Sequence, residues 1–304
     1  MTTNGHIKTA AAAARHYLRD GRQAVPLARH GKKPWSFARN RPLEGWDRLA
    51  LSDDTIDTLF PDGANIGIRL GAPSGGLVDV DLDCPEARRA APHLLPRTAM
   101  IGGRQSAPNS HYFYVAADPP AKASDALKDP VTGAPLLELR STGGQTVVAP
   151  SVYGADPDKG HPEPERFVWQ AHGEPAGVGA DALRTAVRAV AAAALLGRYW
   201  PRSSRHGAPS LALAGGLRRA GWREDAAVTF VTAVCAAARD EEARDRTGCV
   251  RSTFAASARR PVHRLAHARD APRRARRGRR GRGDGRAGRP ADRSAGRLRR
   301  RAPV

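Results

Sequence analysis

The chain has 304 residues, 40% of them hydrophobic, with three cysteines and a formal net charge of +20. That length can bury a core without disulfides, and Cys84, Cys235 and Cys249 show neither the paired spacing of a zinc site nor the even count of a secreted scaffold. No apolar run is long enough to span a bilayer, and charges interrupt the first apolar stretch, so a cytoplasmic, soluble protein without a signal peptide is expected.

Along the chain, Thr9 to Asp20 predicts a helix closed by Gly21, and Ala24 to Ala28 a short strand. GKKPW (31–35) reads as a turn. Asn65 to Leu70 and Leu77 to Asp83 predict strands separated by the glycine-rich GAPSGG, and their closeness in sequence suggests neighbours in space. Pro85 to Leu95 suits a helix. Strands at Thr98 to Ile101 and His111 to Ala116 are expected to flank a polar loop, GGRQSAPNS. Leu136 to Arg140 and Gln145 to Ala149 form a further pair across the turn STGG, and RFVWQ near residue 168 adds a last strand. The mixture is α+β or α/β in class.

After His172 the composition shifts to alanine and leucine at helical spacing, with Val228, Val231, Val234 and Cys235 on one face. Helices are expected near 181–199, 208–220, 224–239 and 250–258. The reading is thus a first domain over 1–172, a linker at 171–179, a helical module over 180–258, and a disordered arginine-rich tail over 259–304. Eighteen arginines and three aspartates lie in that tail, which therefore holds +15 of the +20 and leaves the body only mildly basic. The abrupt change to RRARRGRRGRGDGRAG is typical of a GC-rich gene read out of frame.

In GGLVDVDLD, Asp79, Asp81 and Asp83 alternate with Val78, Val80 and Leu82, so a strand presents all three carboxylates on one face. Like charges that close repel unless a cation sits among them, and hard divalent ions prefer oxygen ligands. A half-exposed edge strand whose acids face water satisfies the same pattern, and phosphatases and glycosyltransferases use similar strings.

Two segments further along the chain narrow the choice: SHYFY, a histidine opening an aromatic strand, and LLELRSTGGQTVVAPS, an acidic strand with a tight turn. Together with GKKPW, the Gly45–Trp46 pair and NIGIRLG, these resemble the bifunctional primase-polymerase domain of the archaeo-eukaryotic primase superfamily, over about Ala13 to Trp169. The resemblance implies an α+β catalytic domain with a mixed sheet, of the kind found in phage, plasmid and prophage replication proteins. It implies template-dependent nucleotidyl transfer from nucleoside triphosphates on a single-stranded DNA template, by a two-metal mechanism with Mg²⁺ or Mn²⁺.

Under it Asp81, Asp83 and Glu138 are the metal ligands and His111 contacts the nucleotide, with Arg104, Ser106 and Arg140 placed to assist. Asp79 is an additional acid at an ordinarily apolar position and ranks third among the three aspartates. The role of Ser110 is left open, and turn lysines such as Lys32 and Lys33 are ordinarily just solvated. The helical module resembles the segment that links such domains to an ATPase. No GxxxxGK[ST] string occurs, so a replicative helicase is expected to be encoded separately or lost. The alternative is a replication protein that binds nucleic acid without catalysis.

Overall fold

A computed structural model of the chain describes residues 8–121, 124–201 and 208–258. The arginine-rich tail and its reading frame fall outside them. Helix α1 (Ala10–Arg19) starts where Thr9 accepts a hydrogen bond from the Ala12 N–H and ends ahead of Gly21, whose φ of +71° suits only a residue without a Cβ. Strand β1 (Ala24–Leu27) follows, then a two-stranded ribbon, β2 (Trp35–Ser36) and β3 (Arg41–Pro42). Helix α2 (Asp53–Leu59), absent from the sequence-based expectation, is opened by a reciprocal cap between Ser52 and Thr55.

Strand β4 (Asn65–Arg69) precedes β5 (Leu77–Asp81), α3 (Pro85–Leu94), β6 (Met100–Arg104) and β7 (Ala107–Ala116). Then come β8 (Ser124–Lys128), β9 (Pro135–Arg140), β10 (Gln145–Val148), β11 (Val152–Tyr153), β12 (Glu165–His172) and β13 (Ala176–Val178). Four helices close the described chain: α4 (Ala180–Arg198), α5 (Ala208–Arg219), α6 (Glu224–Ala238) and α7 (Ala243–Ala258). Among the described residues no helix is long and apolar enough to cross a membrane.

The architecture is mixed α/β. The large sheet runs β11-β12-β6-β7-β5-β9-β8, with β13 parallel to the end of β7, and a small sheet runs β1-β4-β10. Strands β4 and β5 belong to different sheets, yet Leu77 packs with Ile66 and Ile68 in one core, so the two are neighbours in space without pairing. Two expectations are corrected here. Strands β9 and β10 are likewise split between sheets: β9 pairs with β5 and β8, and β10 with β4. A turn with hairpin chemistry fixes only its own four residues, and here it carries the chain from one sheet to the other. Finally, the expected polar loop 102–110 is mostly strand, because β6 and β7 continue to a tight turn at Gln105 and Ser106, with Asn109 at φ +55° marking an irregularity.

Period-two alternation decides what each face of the large sheet meets. Val78, Val80, Tyr112, Tyr114, Leu137 and Leu139 point to one side, where they join Ala87, Ala90 and Ala91 of α3 with Leu183, Val187 and Val190 of α4 and Val231, Val234 and Cys235 of α6 in one core. The segment expected as a linker thus contributes β13, and α4 packs on β9 while α6 stacks on α3 and α4. On the other side Leu77, Met100 and Phe113 pack with Tyr17 of α1, Ile56 of α2 and Ile66 and Ile68 of β4. Asp79 and Asp81 lie on this second face, near the place where the two sheets diverge.

Candidate active site

Strand register brings the polar residues into a row. Asp81 on β5 stands opposite His111 on β7 and opposite Glu138 on β9, and one step back Asp79 stands opposite Phe113 and Arg140. Five polar side chains on three adjacent strands, Asp79, Asp81, His111, Glu138 and Arg140, therefore share one face. Strand β5 ends at Asp81, so Asp83 is not the third member of an acidic strand. Pro85 starts α3 and holds the preceding residue extended, and the chain peels away with Asp83 open to solvent. Its backbone stays anchored, since the Leu82 N–H donates to Ser110 O at 2.7 Å and the Asp83 N–H to Leu136 O at 3.1 Å.

Arg140 is the centre of charge balance. Its Nη2 lies 2.6 Å from Asp81 Oδ2 and its Nε donates to Glu138 Oε2 at 2.8 Å. Burial opposes its charge, but Asp81, Asp79 and Glu138 more than offset this, holding the guanidinium protonated. His111 is also cradled by acids: Nδ1 is 2.9 Å from Asp79 Oδ2 and Nε2 is 3.6 Å from Asp81 Oδ1. Burial lowers its basicity while Asp81 and Asp79 raise it, with a net upward shift. The Asp83 carboxyl is pushed up to about 6, first because protein crowds its inner side and then because Asp81 and Glu138 repel its charge, with Arg140 pulling the other way.

These residues open onto a cleft of about 500 Å³. Asp81, Asp83, Arg104, Ser106, His111 and Arg140 line it, whereas Glu138 does not and sits on the far side of the Arg140 bridge. The cleft also collects residues that no sequence motif marked, Arg88 from α3, Tyr153 from β11 and His161 from the loop before β12, and it includes Lys32 of GKKPW. The Arg104 guanidinium stacks over the Tyr153 ring at 3.8 Å, and the Lys32 amine lies 5.4 Å from the same ring. Ser106 gives both its N–H and its hydroxyl to Glu165 Oε2, at 3.2 and 2.6 Å, and His161 Nδ1 meets the other oxygen of Glu165 at 2.7 Å. Ser106 therefore pins the β6–β7 turn to β12, and its donors are committed. Ser110 is buried on the cleft wall.

Carboxylates at one end and arginine, lysine and histidine around the rest suit a ligand that pairs a divalent cation with a chain of phosphates. Among the described residues no three His, Cys, Asp or Glu side chains close on a common point as an ion requires, because Arg140 bridges two of the acids. The donor chemistry nonetheless fits a hard cation, because Asp81, Asp83 and Glu138 offer only oxygen.

The family described as bifunctional DNA primase/polymerase, N-terminal, matches residues 14–176, which is more than half of the chain. The chain belongs to this family. Membership implies a nucleotidyltransferase of the primase/polymerase type, and the match contains every residue of the acidic row and the cleft. No curated protein matches the chain.

Proposed function

We propose that the chain catalyses template-directed nucleotidyl transfer on single-stranded DNA. The 3′ oxygen of a primer, or of an initiating nucleotide, bonds to the α-phosphorus of a nucleoside triphosphate, the bond from that phosphorus to the bridging oxygen breaks, and pyrophosphate leaves while the hydroxyl proton passes to solvent. The observation that carries this reading is the single cleft in which Asp81 and Asp83 adjoin Lys32, Arg88, Arg104, His111 and Arg140, inside the region matched by the family.

Asp81, Asp83 and Glu138 are the proposed holders of Mg²⁺ or Mn²⁺, which when bound supplies Lewis acidity to the attacking hydroxyl and neutralises charge on the triphosphate. Arg104, whose guanidinium lies over the Tyr153 ring, is placed to pair with phosphate oxygens. His111 contributes Nε2, and Arg88 adds charge from α3. Were these acids to hold a cation, the Arg140 guanidinium would be free to pair with phosphate. A volume of about 500 Å³ falls in the range of small-molecule sites, roughly 300–1,000 Å³, and accommodates a nucleotide.

The test is incorporation of labelled nucleotide on single-stranded DNA, with and without a primer, in Mg²⁺, Mn²⁺ or chelator. Metal-dependent ladders are expected. Release of phosphate or nucleoside monophosphate without chain growth would show a hydrolase instead. A second reading is favoured by the Arg140 bridge itself: a protein whose acids stay neutralised by a guanidinium would bind nucleic acid without chemistry, giving DNA binding but no product in any metal.

A further inference from the structure

Asp79 is wholly buried, yet its two oxygens fare differently. Oδ2 accepts from His111 Nδ1 at 2.9 Å, and Oδ1, buried as well, has no hydrogen-bond partner among the described residues. A carboxylate in such a place is unfavourable compared with an apolar side chain, since burying charge is repaid only when its acceptor capacity is used. Its neighbours on that face are Leu77 and Phe113 of an apolar core and Arg140 on β9, whose charge it helps to hold. Its one hydrogen-bonded oxygen is committed to the His111 imidazole.

The imidazole it touches is held from several directions. Phe113 stacks beside it with centroids 6.3 Å apart, and Phe167 lies tilted at 5.5 Å. Across β6, Gly102 pairs with His111 and leaves room for the aromatic wall, because a Cβ there would come within 2.5 Å of the Phe167 ring. Packing of flat rings fixes the plane of an imidazole but not which edge faces which way: a half-turn about the bond to the ring exchanges nitrogen for carbon at both positions. Only a polar partner distinguishes the two states, and Asp79 is that partner on the inner edge. With Nδ1 bound inward, Nε2 is presented beside Asp81 on the cleft wall.

We propose that Asp79 is a positioning residue that locks the His111 ring with Nε2 toward the nucleotide, a role that rests on the nucleotidyl-transfer reading of the cleft. The experiment uses the full chain and three substitutions, Asp79→Val, Asp79→Asn and His111→Ala, in primer extension with deoxyribonucleoside triphosphates, alongside ¹H–¹⁵N spectra of the imidazole nitrogens. Asp79→Val is expected to raise KM for nucleotide about tenfold with a smaller change in kcat, as for loss of one buried hydrogen bond. Asp79→Asn, whose amide oxygen still accepts from Nδ1–H in the same volume, recovers most of that loss. In the His111→Ala background Asp79→Val adds nothing, and the His111 Nδ1 proton resonance of the wild type disappears in Asp79→Val. Equal penalties for Asp79→Val with and without His111, equal impairment by valine and asparagine, or an unchanged imidazole spectrum would each overturn the proposal. If the wild type makes no product, the nucleotidyl-transfer reading fails, while the spectra still decide whether Asp79 orients the ring.

Discussion

The Arg140 guanidinium reaches Asp81 Oδ2 at 2.6 Å and so stands in the neighbourhood that a metal ion is proposed to occupy. Replacing it with methionine leaves Asp81 and Glu138 facing each other without a cation. In chelator, Arg140→Met is expected to lose about 1–3 kcal/mol, a discounted figure because the arginine is partly exposed. Millimolar Mn²⁺ should recover much of this, since an ion that binds only the folded state adds stability by mass action. Urea unfolding with and without Mn²⁺ reads the difference, and an Arg140→Met protein that Mn²⁺ does not stabilise would exclude these acids as its ligands.

His111 and Glu138 flank Asp81 from opposite strands, and their substitutions are expected to separate kinetically. Glu138→Gln keeps shape and removes a ligand charge, so it should lower kcat by about a hundredfold and raise the metal concentration needed. His111→Ala should chiefly raise KM for nucleotide and leave the metal requirement where it was. Steady-state extension over a grid of metal and nucleotide concentrations distinguishes the two, and matching metal defects would make His111 a ligand.

Gly102 bears on the aromatic wall behind His111. A methyl group there meets Phe167 at 2.5 Å and Trp169 at 2.9 Å, which neither ring can avoid without moving. Gly102→Ala should therefore destabilise the fold by about 1–3 kcal/mol. Because Phe167 also contacts the imidazole, KM for nucleotide should rise in the same variant. A variant of normal stability and normal KM would show that the wall yields freely.

Away from the cleft, Asp129 after β8 accepts from Arg198 and Tyr199 at the end of α4, each at 2.9 Å, and from the Val131 N–H at 2.9 Å. Burial raises its carboxyl pKa, but these donors outweigh burial and hold it below the ordinary carboxylate range. A depressed folded pKa gives stability that is present above the unfolded value and lost as pH falls toward the folded one. Asp129→Asn should thus be clearly less stable than the wild type at neutral pH, with the gap narrowing below about pH 4. Denaturant midpoints across that range check the sign, and a gap that widens in acid contradicts it.

The alternation Val78-Asp79-Val80-Asp81 was enough to place two acids on one face, because a strand's period is a local property. Helices α1, α3, α4 and α6 were legible for the same reason. What local pattern does not contain is the register between strands far apart in sequence. His111 finds Asp79 across 32 residues, and Arg140 meets Asp81 only because β9 lies beside β5. Tyr153, Arg88 and His161 enter the cleft from three separate segments, none with a motif of its own. Ser106 lay in a recognisable polar stretch, yet its commitment to Glu165 depends on β12 lying alongside β6. Helix α2 carried its Ser52–Thr55 start signal, but seven residues are too few to show a periodicity.

The family match stops at residue 176, on the first residue of β13, before α4, which packs on β9, and α6, which packs on α3 and α4, all in one core with Val78, Val80, Leu137 and Leu139. Cutting the gene at that point would produce a fragment with all of its proposed chemistry but with only α3 left over the oily sheet face, prone to clump in the cell. An expression boundary chosen by homology would therefore discard half of the wall against which the acidic strand is braced. The shortest piece worth purifying runs at least through α6, because what this site needs in order to stand up extends well past what it needs in order to react.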